Sequence, residues 1–203
     1  ALFLYVCRYL KIPSMIKIAI FASGSGTNAE NIIKYFSDKS YAEIVLIISN
    51  KKDAYVHERA KMLNVDSVTF SKSDFEVTNK VLDCLLEKKV DFIILAGFLL
   101  KVPENILYVY PDKIVNIHPA LLPKFGGKGM YGDNVHKAVV EAGEVESGIT
   151  IHYVNENYDE GNIIFQAKCP VLKTDTYADV AKKVHTLEYA HFPEVIDRLL
   201  NSL

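Results

Sequence analysis

This sequence predicts an α/β fold, an open twisted sheet, mostly parallel, with helices on both faces, and three observations carry the prediction. Apolar runs rich in Ile, Val and Leu alternate with helical patterns through the first half of the chain. Those runs are nearly continuous rather than alternating in polarity, as strands buried on both faces must be. After the first run, "FASGSGTNAEN" is a glycine-rich turn that opens directly into a helix, the strand–turn–helix step of a Rossmann-like sheet.

In chain order, 16–22, 43–49, 67–70, 92–96 and 113–117 read as strands. Between them 28–37, 54–63, 74–88 and 103–109 carry helical patterns, so the half is built of βαβ units. The second half changes style. "KFGGKGMYGDN", 124–134, has four glycines and no periodicity, which predicts a mobile loop able to act as a lid. A short helix over 136–142 follows, then "GITIHYV" and "NIIFQAKCPV" as two strands joined by "NENYDEG". A long helix over 177–199 ends the pattern, with Pro193 expected to bend it.

At 203 residues the chain can bury a substantial core, and 15–203 reads as a single domain. The stretch ahead of it, "ALFLYVCRYLKIPS", falls outside the pattern. Its apolar part, 2–6, is too short for a secretion signal or a membrane span, and Met15 is the expected natural start. Twenty-three Lys and Arg against 25 Asp and Glu give a net charge of -2, which argues against nucleic acid as a partner. Three cysteines without metal-ligand spacing read as reduced thiols, with no metal and a cytoplasmic setting expected. The oligomeric expectation is a monomer or homodimer.

The glycine loop, Gly24-x-Gly26-x-x-Ala29, approaches the dinucleotide fingerprint. That fingerprint also needs an acid at the end of the second strand, and Ser49, Asn50 and Lys51 stand there instead, which disfavours NAD. What survives is a phosphate cradle: Gly26, Thr27 and Asn28 fall at a helix N-terminus, where free N–H groups favour an anion. Read without a ligand, the same loop is a tight turn with Thr27 or Asn28 as a helix cap.

"IVNIHPALLP" places Asn116 and His118 two residues apart, on one face of a strand that Pro119 then ends. Ligands of open α/β sheets bind outside the carboxyl ends of the strands. "NENYDEG" follows a strand on that edge and brings Glu156 and Asp159 into range. An amide, an imidazole and a carboxylate without a serine or cysteine nucleophile point to acyl transfer by direct attack. Asn116 and a protonated His118 are expected to stabilise the oxyanion, and Asp159 is expected to raise the imidazole pKa and relay protons. Taken singly, each has a plainer reading: a strand-end histidine, an asparagine on a turn backbone, a turn aspartate before Gly161.

"AIFASGSGTN", "FIILAGFLLKVP", "IVNIHPALLPKFGG" and "GITIHYVNENYDEGNIIFQ", in this order, resemble the phosphoribosylglycinamide formyltransferases of purine biosynthesis. The similarity runs from Met15 onward and implies the formyltransferase fold. It implies transfer of a formyl group from 10-formyltetrahydrofolate, as co-substrate, to the amine of glycinamide ribonucleotide. The family's catalytic residues fall on Asn116, His118 and Asp159, and its phosphate loop on Gly26, Thr27 and Asn28. Its folate site falls on Leu99, Leu100, Lys101 and Val102, with Asn155, Glu156, Asn157 and Tyr158 closing over the pterin. Glu188 matches a ribonucleotide-binding residue; by pattern alone it reads as a solvated helix position. A cis Leu122–Pro123 bond is also implied.

Three departures from the family stand out. Lys101 replaces an arginine, the loop before His136 is a few residues longer, and "SKSDFEV" offers no arginine for the folate tail. Two further functions share parts of the pattern: formyltetrahydrofolate hydrolysis, whose enzymes carry a second histidine where Pro119 stands, and a non-catalytic nucleotide-phosphate-binding module.

Overall fold

Strand β1 (Ile16–Phe21) lies inside a seven-stranded sheet, and its side chains alternate between two separate cores. Ile18 and Ile20 face one, Ala19 and Phe21 the other. A strand divided in this way cannot have a polar face, which is why its buried run, Ile18 to Phe21, is apolar and its one charge, Lys17, stands at the half-buried start. The computed structural model describes residues 15–202, so the 1–14 extension lies outside the described residues.

From β1 the chain continues through α1 (Thr27–Phe36), β2 (Ala42–Ser49), α2 (Val56–Met62), β3 (Ser67–Thr69), α3 (Lys72–Val77) and α4 (Lys80–Glu87). It then forms β4 (Phe92–Leu95), α5 (Glu104–Val109), β5 (Ile114–His118) and α6 (Asp133–Glu141). β6 (Glu146–Tyr153), β7 (Ile163–Pro170) and α7 (Tyr177–Leu200) complete it. The sheet order is β3-β2-β1-β4-β5-β6-β7. Pairings from β3 to β5 are parallel, and β6 and β7 add antiparallel. The winding reverses between β1 and β4, so the loops leaving those two strands diverge and open a crevice at the carboxyl edge.

Helices α1, α2, α6 and α7 contribute to the core of Ile18 and Ile20; α3, α4 and α5 contribute to the other, around Phe21 and Phe75. Ile18, Ile20, Ile93 and Ile94 are fully buried at the centre. Truncating any one to alanine would cost about 2–5 kcal/mol, so the frame behind the crevice is rigid.

Two expectations are corrected. The helix expected over 74–88 is two helices, because Thr78 is extended and its hydroxyl donates to the Asp74 carbonyl at 2.9 Å, closing α3. A β-branched residue and Asn79 at that point favour caps over helix interior. Helix α6 begins at Asp133 rather than 136, taking the end of the expected loop. Helix α7 opens on a Thr176–Asp179 capping box and continues through Pro193 for 24 residues. No helix among the described residues is long and apolar enough to cross a membrane.

Candidate active site

The loops after β1, β4, β5 and β6 surround a cleft of about 750 Å³. Asn116 and His118 project from the end of β5 on the side opposite Val115 and Ile117, which enter the first core. Asn116 pairs in register with His152 of the antiparallel neighbour β6, and directly opposed residues share a face at close range. His152 Nδ1–H donates to the Tyr153 carbonyl at 2.8 Å, which frees Nε2 to accept from Asn116 Nδ2 at 3.1 Å. The Asn116 amide is thereby oriented, with its carbonyl oxygen and second N–H left over.

Asp159 arrives from the loop after β6 in a left-handed conformation, φ 58°, which aspartate tolerates better than most residues. Gly161 makes that loop possible: a Cβ there would lie 1.7 Å from the Tyr153 carbonyl oxygen. Asp159 Oδ2 accepts from the Gly127 N–H at 2.9 Å and lies 3.5 Å from His118 Nδ1, while Oδ1 lies 3.6 Å from His152 Nε2. His118, only 3% exposed, donates from Nε2 to the Phe125 carbonyl at 2.7 Å. Its other nitrogen, Nδ1, faces the carboxylate.

The turn that leads to Phe125 is held by side chains of β6 and β7. The buried Thr150 hydroxyl donates to the Ala120 carbonyl at 2.7 Å and accepts from the Leu122 N–H at 3.0 Å and from Gln166 Nε2 at 2.9 Å. Gln166 also donates to the Leu122 carbonyl at 3.0 Å. These bonds satisfy the hydroxyl and fix the turn after β5. Leu122–Pro123 is cis, as expected.

Asp159 does pull the His118 pKa upward, but the expectation of a protonated imidazole is corrected because the net shift runs the other way. Burial pulls the imidazole below its ordinary value and outweighs the opposing pull of Asp159 and the Phe125 carbonyl. Burial also pushes the Asp159 carboxyl up, but the His152 and His118 rings and the Gly127 N–H together hold it below its ordinary value. The resting pair is a neutral imidazole beside an ionised carboxylate.

At one end of the cleft, α1 begins on Gly26 at φ 74° with no side-chain cap, so neither Thr27 nor Asn28 caps the helix. The first free N–H groups line the cleft with Gly24 and Ser25. Glycine is required at 26 because a Cβ would meet Val56 at 2.4 Å. Glu188 is buried, against the pattern-only reading of a solvated residue, and accepts from Asn28 Nδ2 at 3.0 Å and His185 Nδ1 at 2.8 Å. That bond to Glu188 raises the His185 pKa. Asn28 Oδ1 and His136 Nδ1 are buried in this wall without a hydrogen-bond partner among the described residues.

Leu99, Leu100, Lys101 and Val102 also line the cleft, as do Asn155, Asn157 and Tyr158. Val102 is 3% exposed and belongs mainly to the core below. Glu156 is the exception: it is exposed and does not line the cleft, because the turn delivers Asp159 inward and leaves Glu156 in solvent. No group of three or more His, Cys, Asp or Glu that could hold a metal occurs among the described residues.

The model of the formyl transferase family matches residues 16–196. The phosphoribosylglycinamide formyltransferase of Haemophilus influenzae is 38% identical over 187 residues, covering 90% of this chain and 86% of that protein. That of Bacillus subtilis is 35% identical, covering 92% and 95%. This chain belongs to the phosphoribosylglycinamide formyltransferases. Within that family, two chloroplastic relatives, from Arabidopsis thaliana and Vigna unguiculata, are 42% and 37% identical, and the chain spans 65% and 60% of their lengths. The solved Streptococcus pneumoniae formyltransferase superposes with a TM-score of 0.80 at 36% identity, covering 91% of this chain and 99% of that one.

For a formyltransferase of this family, the sequence reading missed His152, Thr150, Gln166, His136 and His185. The signal for Thr150 and His152 is present in "GITIHYV": two polar residues, two apart, on a strand that pairs with β5.

Proposed function

We propose that this formyltransferase moves the formyl group of 10-formyltetrahydrofolate to the primary amine of glycinamide ribonucleotide, in purine biosynthesis. The observation that carries the reading is the meeting of Asn116, His118 and Asp159 in one cleft with an uncapped helix N-terminus and a largely apolar segment. A phosphate ester suits the helix N-terminus, and a flat heterocycle suits the apolar segment. The names of the Haemophilus and Bacillus relatives support phosphoribosylglycinamide as the acceptor and a formyl group as the group moved.

In this reading the ribonucleotide phosphate takes the N–H groups of Gly26, Thr27 and Asn28, and Glu188 takes its ribose. The pterin lies against Leu99–Val102 and the 155–158 turn. Lys101 keeps a positive charge where relatives have arginine, without the bidentate fork. Lys72 also lines the cleft, beside Glu76 at 3.5 Å, and supplies a cation for the folate tail in the segment where no arginine was found. Residues 127–132 also line the cleft, which supports the lid role of 124–134.

The amine nitrogen attacks the formyl carbon; a C–N bond forms and the formyl oxygen becomes an oxyanion. The free N–H of Asn116 donates to that oxygen. His118 Nδ1, neutral at rest, takes the amine proton and becomes an imidazolium that Asp159 stabilises. The proton then passes, through the Asp159 and His118 pair, to folate N10 as the C–N10 bond breaks. Formylglycinamide ribonucleotide and tetrahydrofolate leave.

The test is purified protein with 10-formyltetrahydrofolate, followed at the folate chromophore with and without glycinamide ribonucleotide. Turnover that requires the ribonucleotide is expected; turnover at the same rate without it, or none with it, overturns the proposal.

A further inference from the structure

Ser23 is 3% exposed and sits where three strands end. Its N–H donates to the Gly97 carbonyl at 3.0 Å, its hydroxyl donates to Asn50 Oδ1 at 2.6 Å, and the same hydroxyl accepts from the Leu99 N–H at 2.9 Å. An amide N–H can only donate, so the hydroxyl proton is free for Asn50, and the directions are fixed. Gly97, at φ 73°, provides the left-handed turn that begins the segment after β4. One small side chain thus ties the exit of β1 to the exits of β2 and β4.

Two of those exits hold different substrates under the proposed function, on which this inference rests: 24–28 holds the ribonucleotide phosphate and 98–102 the folate. We propose that Ser23 is a positioning residue that fixes the two substrate loops relative to one another, so that the amine meets the formyl carbon at reacting distance. Asn50 shares the task. It stands where a dinucleotide-binding chain would place a ribose-binding acid, and here its acceptor oxygen is engaged by Ser23. The end of β2 braces the site instead of binding a ribose.

The two loops do not depend on Ser23 equally. The ribonucleotide loop has its own anchors, the Val56 N–H on the Gly24 carbonyl at 3.2 Å and Arg59 Nε on the Ser25 carbonyl at 2.8 Å. Within 98–102, the Leu99 N–H has Ser23 as its acceptor. Removing the hydroxyl therefore releases the folate side, and a misplacement of about 1 Å is enough for roughly a hundredfold loss of rate.

Steady-state kinetics with both substrates varied test this in Ser23→Ala, Asn50→Leu and the double variant. Ser23→Ala should lower kcat by about tenfold to a hundredfold and raise the folate KM several-fold, leaving the ribonucleotide KM within about twofold of wild type. Asn50→Leu should act in the same direction more weakly, and the double variant should be no worse than Ser23→Ala, because both act through one hydroxyl. Wild-type kcat and KM values in Ser23→Ala overturn the proposal, as does a loss of rate that only tracks the folded fraction. If Ser23→Ala does not fold, unchanged kinetics in Asn50→Leu overturn it. Gly24→Val, measured alongside, tests the loop assignment itself: a raised folate KM there with an unchanged ribonucleotide KM means that the underlying reading has failed, whatever Ser23 does.

Discussion

Replacing Asp159 with asparagine separates a catalyst from a binding site. The substitution keeps the size of the side chain and an oxygen for the Gly127 N–H, but removes the charge facing His118 Nδ1 at 3.5 Å. Once His118 has taken the amine proton, the attraction between imidazolium and carboxylate at that distance is about 5 kcal/mol at an effective dielectric of about 20. The asparagine dipole and local water replace roughly half of it, leaving about 2.5 kcal/mol, or about seventyfold in kcat. Both KM values should stay within about threefold, since the neutral resting imidazole interacts little with the lost charge. The assay is initial rate at the folate chromophore with both substrates saturating. A kcat within about threefold of wild type would refute the role of Asp159, even with the family membership intact.

Three other outcomes follow from the same geometry. Gly24→Val places a side chain in open space at the mouth of the phosphate loop without touching the protein, so the ribonucleotide KM should rise about tenfold or more while the folate KM holds; a reversed pattern would exchange the two ends of the cleft. Burial keeps the His118 pKa below its ordinary 6.5, and the ring must be neutral to accept a proton, so kcat should fall as the pH drops through a value below 6.5. In Asp159→Asn that acid limb should move lower still, because a group that raises the pKa is gone; a limb above 6.5 in the wild type would contradict this. His152→Ala frees the Asn116 amide to rotate and should lower kcat about tenfold, the equivalent of one lost orienting hydrogen bond, with the melting temperature measured as control.

The βαβ half of the fold was legible because strands buried on both faces leave no room for ambiguity in β1, β2 or β4. The break between α3 and α4 was not, since Val77 and Thr78 preserve the apolar spacing of one helix while the Thr78 hydroxyl ends it. Strand alternation puts Asn116 and His118 on one face, and the place after β6 puts Asp159 within range, but spacing leaves each a plainer reading and only the structure shows the three side chains together. The burial of Glu188 could not, because its partners Asn28 and His185 meet it only when α1 and α7 pack together. The depression of the His118 pKa was hidden for a related reason: sequence places a carboxylate nearby but says nothing of the enclosure that outweighs it. Glu156 was misplaced because spacing cannot tell which residues of a turn face inward.

The stoichiometry of transfer tests the central claim most directly. The protein is incubated with 10-formyltetrahydrofolate labelled in the formyl carbon and with glycinamide ribonucleotide, and the label is followed by mass spectrometry into ribonucleotide and formate. Attack by the amine across Asn116, His118 and Asp159 predicts one labelled formylglycinamide ribonucleotide for each tetrahydrofolate released. Label recovered as formate, with the ribonucleotide unmodified, would mean that water is the acceptor and would contradict the account.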